Sequence, residues 1–197
     1  MDVIVKQVSE YGEKLFQDHS NPDLSYHNIN HTRSVVEHAS KISQHYKLSA
    51  VDNMIVTVAA WFHDVGHLIS GMYEHEKKSV SVMKLFLLHS NVEEETIDKI
   101  AGCIMSTKLP SCPHNLLEEI LCDADTYHLG TDEFLISDES VRKEFDPKGN
   151  IKDAEWNKQT LHFLLQHKYY TSYCQERLIE GKNTNIQLVH ARIRTLN

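Results

Sequence analysis

Apolar residues recur three and four positions apart along almost the whole chain, the spacing that lines one face of an α-helix. No stretch alternates as a half-buried strand would, and no internal repeat is present. The pattern predicts helices over Val3 to Gln17, ending before an Asn21-Pro22 turn, over Asn28 to Tyr46, and over Val51 to Asp64. Further helices are predicted over Glu74 to His89, over Val92 to Ser106, and from the loop bracketed by Pro110 and Pro113 to Leu129, closed by Gly130. Between Asp132 and Asn150 the pattern predicts short helical pieces and a turn at Asp146-Pro147-Lys148-Gly149. Two last helices cover Lys152 to Lys168 and Thr171 to Glu180. Beyond Gly181 the periodicity weakens, so residues 1–180 read as one all-α domain and 181–197 as a tail, either frayed or opening a further region.

Two of these helices carry most of the information. The segment Met54, Ile55, Val56, Val58, Ala59, Ala60, Trp61, Phe62 is apolar nearly all round, which places it in the middle of its domain. The helix before it presents His31, Val35, His38, Ala39 and Ile42 along one face.

Composition narrows the picture. In 197 residues, 41% are hydrophobic and 24% charged, as for an ordinary globular domain, and seven Gly with four Pro are too few to punctuate many strands. The formal net charge of −8 argues against binding a nucleic-acid polymer, because that affinity comes from basic residues meeting phosphates. A small phosphorylated substrate remains compatible, since it responds to the local field. The four cysteines form no Cys-x-x-Cys pair, which argues against a thiolate zinc site. The N-terminal residues lack a secretory pattern and no long apolar run is present, so a cytoplasmic setting is expected.

Fourteen histidines are an excess, and their placement is informative. His63-Asp64 ends the helix that is too apolar for the surface, and a buried carboxylate is costly unless it is paired or holds a cation. His31 lies on the inward face of the preceding helix. Asp125 continues the stripe Leu117, Leu121, Asp125, His128 of a third helix. Together His31, His63, Asp64 and Asp125 form a predicted His₂Asp₂ set for one divalent ion. Mixed imidazole and carboxylate donors suit Mn, Fe, Co, Ni or Zn, with Mg also admissible. Such a set leaves room for water and a substrate oxygen, and a cation lowers the pKa of a bound water towards neutrality.

The ordered segments Tyr26-His27-Asn28-Ile29-Asn30-His31-Thr32, Trp61-Phe62-His63-Asp64-Val65-Gly66 and Asp123-Ala124-Asp125 resemble the HD superfamily of metal-dependent phosphohydrolases. The likeness covers about the first two-thirds of the chain. It implies an HD-type helical bundle with five or more core helices and hydrolysis of a phosphate ester, often on a nucleotide. Within that superfamily the chain is most similar to small bacterial HD proteins with a His-Glu-x-x-Ser helix and a Thr-Lys pair, here His75-Glu76-Lys77-Lys78-Ser79 and Thr107-Lys108. Some such relatives continue into a membrane-bound effector region.

Around this core several residues have two readings. Glu76, on the stripe Glu76, Val80, Met83, Leu87, is a candidate catalytic group beside Asp64, or a carboxylate that caps its helix. Lys108 is a candidate phosphate contact or a side chain that snorkels to water. Arg142 is a second candidate phosphate clamp. His27 and His75 are candidate substrate contacts. In HD proteins that hold two metals, histidines from the region of His75 ligate the second ion, but the other candidates by type, His89 and His114, match no motif, so one ion is expected. Asp123 reads as structural, His128 as a neighbour of Asp125, and His38 as a core histidine.

Three functional classes follow. The leading one is hydrolysis at phosphorus, by a monoesterase or a diesterase. The alternatives are a metal-binding regulatory module of a longer, membrane-anchored protein, and a diiron oxygenase, which needs further ligating histidines.

Overall fold

The computed structural model describes residues 2–71 and 73–196, all helix, turn and loop among the described residues. The α-helices are α1 (Asp2–Asp18), α2 (Ile29–His45), α3 (Ala50–Phe62), α4 (His67–Ser70), α5 (His75–Leu87), α6 (Glu94–Ser106), α7 (Leu116–Asp125), α8 (Phe134–Phe145), α9 (Asp153–Gln166) and α10 (Ser172–Thr195). A 3-10 helix, Tyr127–Gly130, lies between α7 and α8. The chain divides into two compact units, residues 1–21 with 27–125, and residues 22–26 with 126–197.

In the first unit α3 packs against α1, α2, α5, α6 and α7. That explains its sequence: with neighbours on so many sides, the residues from Met54 to Phe62 are nearly all apolar. Ile55, Val56, Val58, Ala59, Ala60 and Phe62 are all at most 1% exposed. Helix starts are set by side chains that accept otherwise unpaired N–H groups. Asn28 accepts from the Asn30 N–H at 2.9 Å ahead of α2, and Ser49 from the Asp52 N–H at 3.1 Å ahead of α3.

His38 departs from its predicted core role, for it is only half-buried. Burial, and then the charge of Lys41, push its imidazole pKa down to about 4, with Glu37 opposing and His31 adding to the shift. The folded chain therefore keeps His38 neutral where the unfolded chain protonates it, so stability falls as pH drops from about 6.5 towards 4. His38→Gln is expected to flatten that fall by about 1–2 kcal/mol, after solvent screening of a partly exposed group. Urea denaturation at pH 7 and pH 5 checks it, and an unchanged difference between the two would refute the assignment.

In the second unit α10 packs against α9 and the 3-10 helix, and α8 packs against the 3-10 helix. Leu129, Phe134, Leu164 and Val189 form its core, flanked by Ile186 and Ile193. Here the structure corrects two expectations. Residues 134–145 form one continuous helix instead of short pieces, although the turn at Asp146–Gly149 is present, with the Gly149 N–H bonded to the Asp146 carbonyl at 3.0 Å. The last helix also does not end near Glu180 but runs to Thr195, with Lys182, Asn185 and Val189 buried. Its weak periodicity reflects polar residues used internally. The Asn185 amide donates to the carbonyls of Leu129 and Thr131 at 3.0 and 2.9 Å, and the Lys182 ammonium donates to the His167 carbonyl. Gly181 allows the close approach, since a Cβ there would lie 2.0 Å from the Gly130 carbonyl oxygen.

Candidate metal centre

Three helices of the first unit bring the centre together. His31 sits in the first turn of α2, and Asp125 is the last residue of α7. His63 and Asp64 follow directly on α3, where the chain tightens: Val65 N–H bonds to the Phe62 carbonyl at 3.2 Å and His67 N–H to the Asp64 carbonyl at 3.0 Å. These i→i+3 bonds narrow the turn and let two adjacent side chains serve one point.

The polar tips converge. His31 Nε2 lies 3.2 Å from Asp64 Oδ2 and 3.1 Å from Asp125 Oδ1. His63 Nε2 lies 3.1 Å from Asp64 Oδ2, 3.6 Å from Asp125 Oδ1 and 3.3 Å from His31 Nε2. Metal bonds of about 2.1 Å place ligand atoms about 3.0 Å apart at right angles and about 3.4 Å apart at the tetrahedral angle. The observed spacings fall on that scale. Donor chemistry agrees. The His63 Nδ1–H donates to the Ala60 carbonyl at 2.8 Å, which turns Nε2 towards the cluster. Asp64 is 5% exposed, and its Oδ2 is buried without a hydrogen-bond partner. A buried carboxylate oxygen left that way beside two imidazoles fits a cation. The four residues form a group able to hold a metal ion.

Electrostatics show what holds the cluster when protons stand in for the ion. Burial would depress the His31 pKa, but the adjacent carboxylates of Asp125 and Asp64 outweigh it and hold it above the usual histidine value. His63 is raised further, against burial, chiefly by the charge of Asp64. Burial would raise both carboxylates, yet His63 and His31 hold Asp64 and Asp125 well below the usual range.

Around the four, Glu76 is buried as its stripe predicts, with Oε1 at 3.5 Å from His75 Nε2. His75 Nε2 lies 3.7 Å from Asp64 Oδ1. The His27 ring meets that of His31 edge-on with centroids 5.9 Å apart, so both histidines border the cluster. Asp123 is fully buried. Gly66 has φ −60°, a conformation open to any residue. It is glycine for space: a Cβ would lie 2.0 Å from the His75 carbonyl oxygen. Its N–H donates to Ser79 Oγ at 2.9 Å, so the serine of His75-Glu76-Lys77-Lys78-Ser79 ties the His-Asp turn to α5.

Lys108 is exposed at the end of α6, lining a cavity of about 420 Å³ with Cys112 and His114, because the buried face there is Ile100, Cys103 and Ile104. Arg142 belongs to the second unit, where its guanidinium binds the Ile151 carbonyl at 2.7 Å and Asp153 at 2.8 Å, bracing the turn between α8 and α9. His128 is also in the second unit, on the 3-10 helix, 3.2 Å from the Tyr26 hydroxyl. The predicted stripe is interrupted because α7 ends at Asp125. His89 and His114 are exposed and join no ligand group among the described residues.

One residue escaped the sequence reading. His67, 3% exposed, lies three positions after Asp64, with Nε2 at 3.9 Å from Asp64 Oδ1. The spacing that puts residues i and i+3 on one helical face was available in His63-Asp64-Val65-Gly66-His67.

Comparison with known proteins agrees with this geometry. No curated protein sequence matches the chain. A crystal structure of a predicted HD superfamily hydrolase from an uncultured Thermotogales bacterium superposes with a TM-score of 0.61 at 17% identity, covering 98% of this chain and 92% of that one. The family model for the HD domain matches residues 28–130, more than half of the chain, and contains all four converging ligands. The chain belongs to the HD-domain family.

Proposed function

We propose that this protein is a metal-dependent phosphohydrolase that cleaves a phosphate ester of a nucleotide or a similar small phosphorylated metabolite. The observation that carries the reading is the convergence of His31, His63, Asp64 and Asp125 around a buried carboxylate oxygen that lacks a hydrogen bond. The hydrolase description of the Thermotogales relative agrees with it. A divalent cation bound there supplies Lewis acidity towards a phosphoryl oxygen and acidifies a water. The chain's own part is to hold and orient. Asp64 and Asp125 supply the negative charge, and the bond from His63 to Ala60 fixes the ring that faces them. His75 and Glu76, 3.5 Å apart beside Asp64, form a pair able to hold and pass a proton as the ester bond breaks.

The test is a panel of phosphomonoesters, phosphodiesters and nucleotides, offered to metal-stripped protein reloaded with Mn, Co or Ni. Turnover with at least one ester, lost in Asp125→Asn, is expected. A fully loaded protein that cleaves none of them refutes the reading.

A further inference from the structure

Three ammonium groups gather where α5 begins. The Glu74 carboxylate is bonded by Lys77, and that bond, then the charges of Lys77, Lys108 and Lys78, hold it below the usual carboxylate range. The register of α5 and α6 brings Lys108 to this place. The two helices pack together and their short connection makes them antiparallel, with Lys84 bonded to Asp98 at 2.8 Å. The same number of residues further along each, Glu74 comes level with Lys108. Lys78 follows His75 by three positions, on the face that His75 turns to Asp64. Glu76, the other acid of that turn, is buried against His75 and leaves the surface to the lysines. Lys77 is engaged by Glu74, whereas Lys78 and Lys108 are exposed and form no ion pair among the described residues. Glu74 itself has φ 49°, a left-handed conformation that is uncommon outside glycine and recurs at ligand clamps. A chain of net charge −8 thus keeps a local excess of positive charge beside its candidate metal centre. Space for a ligand adjoins it. Lys108 lines a cavity of about 420 Å³ whose wall includes Ser106, and the Ser106 carbonyl accepts the thiol of Cys122, one helical turn before Asp125.

We propose that Lys108 and Lys78 bind a phosphoryl group next to the one held at the metal centre, so that the site selects nucleotides with a phosphate chain over monophosphates. A lysine suits that task as a flexible point charge, and an exposed one lets the chain enter and leave. The two ammonium groups position the substrate and take no part in bond breaking. The inference deepens the hydrolase reading and rests on it, since it needs one phosphoryl group on the ion held by His31, His63, Asp64 and Asp125.

The experiment is calorimetric titration of the manganese-loaded full chain with phosphate, pyrophosphate and tripolyphosphate, with bound metal counted after each run. Condensed phosphates chelate manganese better than phosphate in any setting, so the change from wild type to variant decides. Lys108→Met is expected to weaken at least one condensed phosphate by about 5-fold, and Lys108→Met combined with Lys78→Met by about 20-fold, with phosphate unchanged within about 2-fold. Lys108→Arg, which keeps the charge, is expected to retain most of the affinity. Both side chains are exposed, so helical circular dichroism should stay at the wild-type value. Equal losses for all three probes, or no loss for any, overturn the inference and leave the hydrolase reading intact. A loaded wild type that binds none of the three overturns both. Selective loss in a protein that cleaves no ester upholds the lysine site and overturns the hydrolase reading.

Discussion

Asp64→Ala is expected to empty the centre: metal content falls to background and hydrolysis drops by about 10³-fold or more, equivalent to about 4 kcal/mol of barrier. Asp64 Oδ2 faces His31 and His63 and its Oδ1 faces His67 and His75, a position no other described residue shares. The same substitution should alter the pH dependence of the metal-free protein. Histidines raised above 6.5 stabilise the fold below that pH, and the effect fades as pH climbs through their folded values. Carboxylates depressed below 3.8 stabilise it above that pH, and the effect fades as pH falls through theirs. Both contributions are present between about pH 4 and 6.5. Removing Asp64 should therefore cost the metal-free chain most near pH 5 to 6 and less near pH 9, measured by thermal denaturation in chelator. Retained metal together with a pH-independent loss would remove Asp64 from the centre.

Gly66→Ala is expected to have the second-largest effect. Its new Cβ would meet the His75 carbonyl oxygen at 2.0 Å, and that neighbour is backbone, which cannot rotate away. The His-Asp turn and the start of α5 must separate, at a cost of about 3 kcal/mol by analogy with overpacked cores. Because this contact sets His75 and Glu76 against Asp64, metal affinity should fall as well. Ser79→Ala is the milder comparison. It removes the acceptor of the Gly66 N–H without adding volume and should cost about 1–3 kcal/mol. Urea denaturation with parallel metal titration separates the two. A Gly66→Ala protein as stable as wild type would mean that the turn and α5 are not held in this contact.

Much of the first unit was legible because its signals are local. An unbroken apolar surface from Met54 to Phe62, but for Thr57, means that this part of α3 is buried. An acid at the end of such a helix must have a partner, and that requirement alone singles out Asp64. The stripes of α2 and α7 reached His31 and Asp125 in the same way. Membership of the HD family was legible too, since three short segments in order carry it.

What remained hidden depends on distances between segments, which periodicity does not encode. The bonds of the Arg142 guanidinium to Asp153 and the Ile151 carbonyl span a turn that the pattern of apolar positions does not describe. Residues beyond Gly181 looked like a tail because their inward face includes Lys182 and Asn185, polar groups that are buried only because carbonyls of other segments lie within reach. His67 went unremarked since its partners, His27 and His75, come from other parts of the chain.

The sequence by itself determined that this protein is helical, that α3 is central, and that two histidines and two aspartates face inward as candidate ligands, because burying apolar area and avoiding lone buried charge are demands each segment states alone. Only the tertiary structure decided that Gly66 serves close approach and that Asp64 turns its oxygens to two histidine groups, because both depend on where α5 comes to rest against the end of α3.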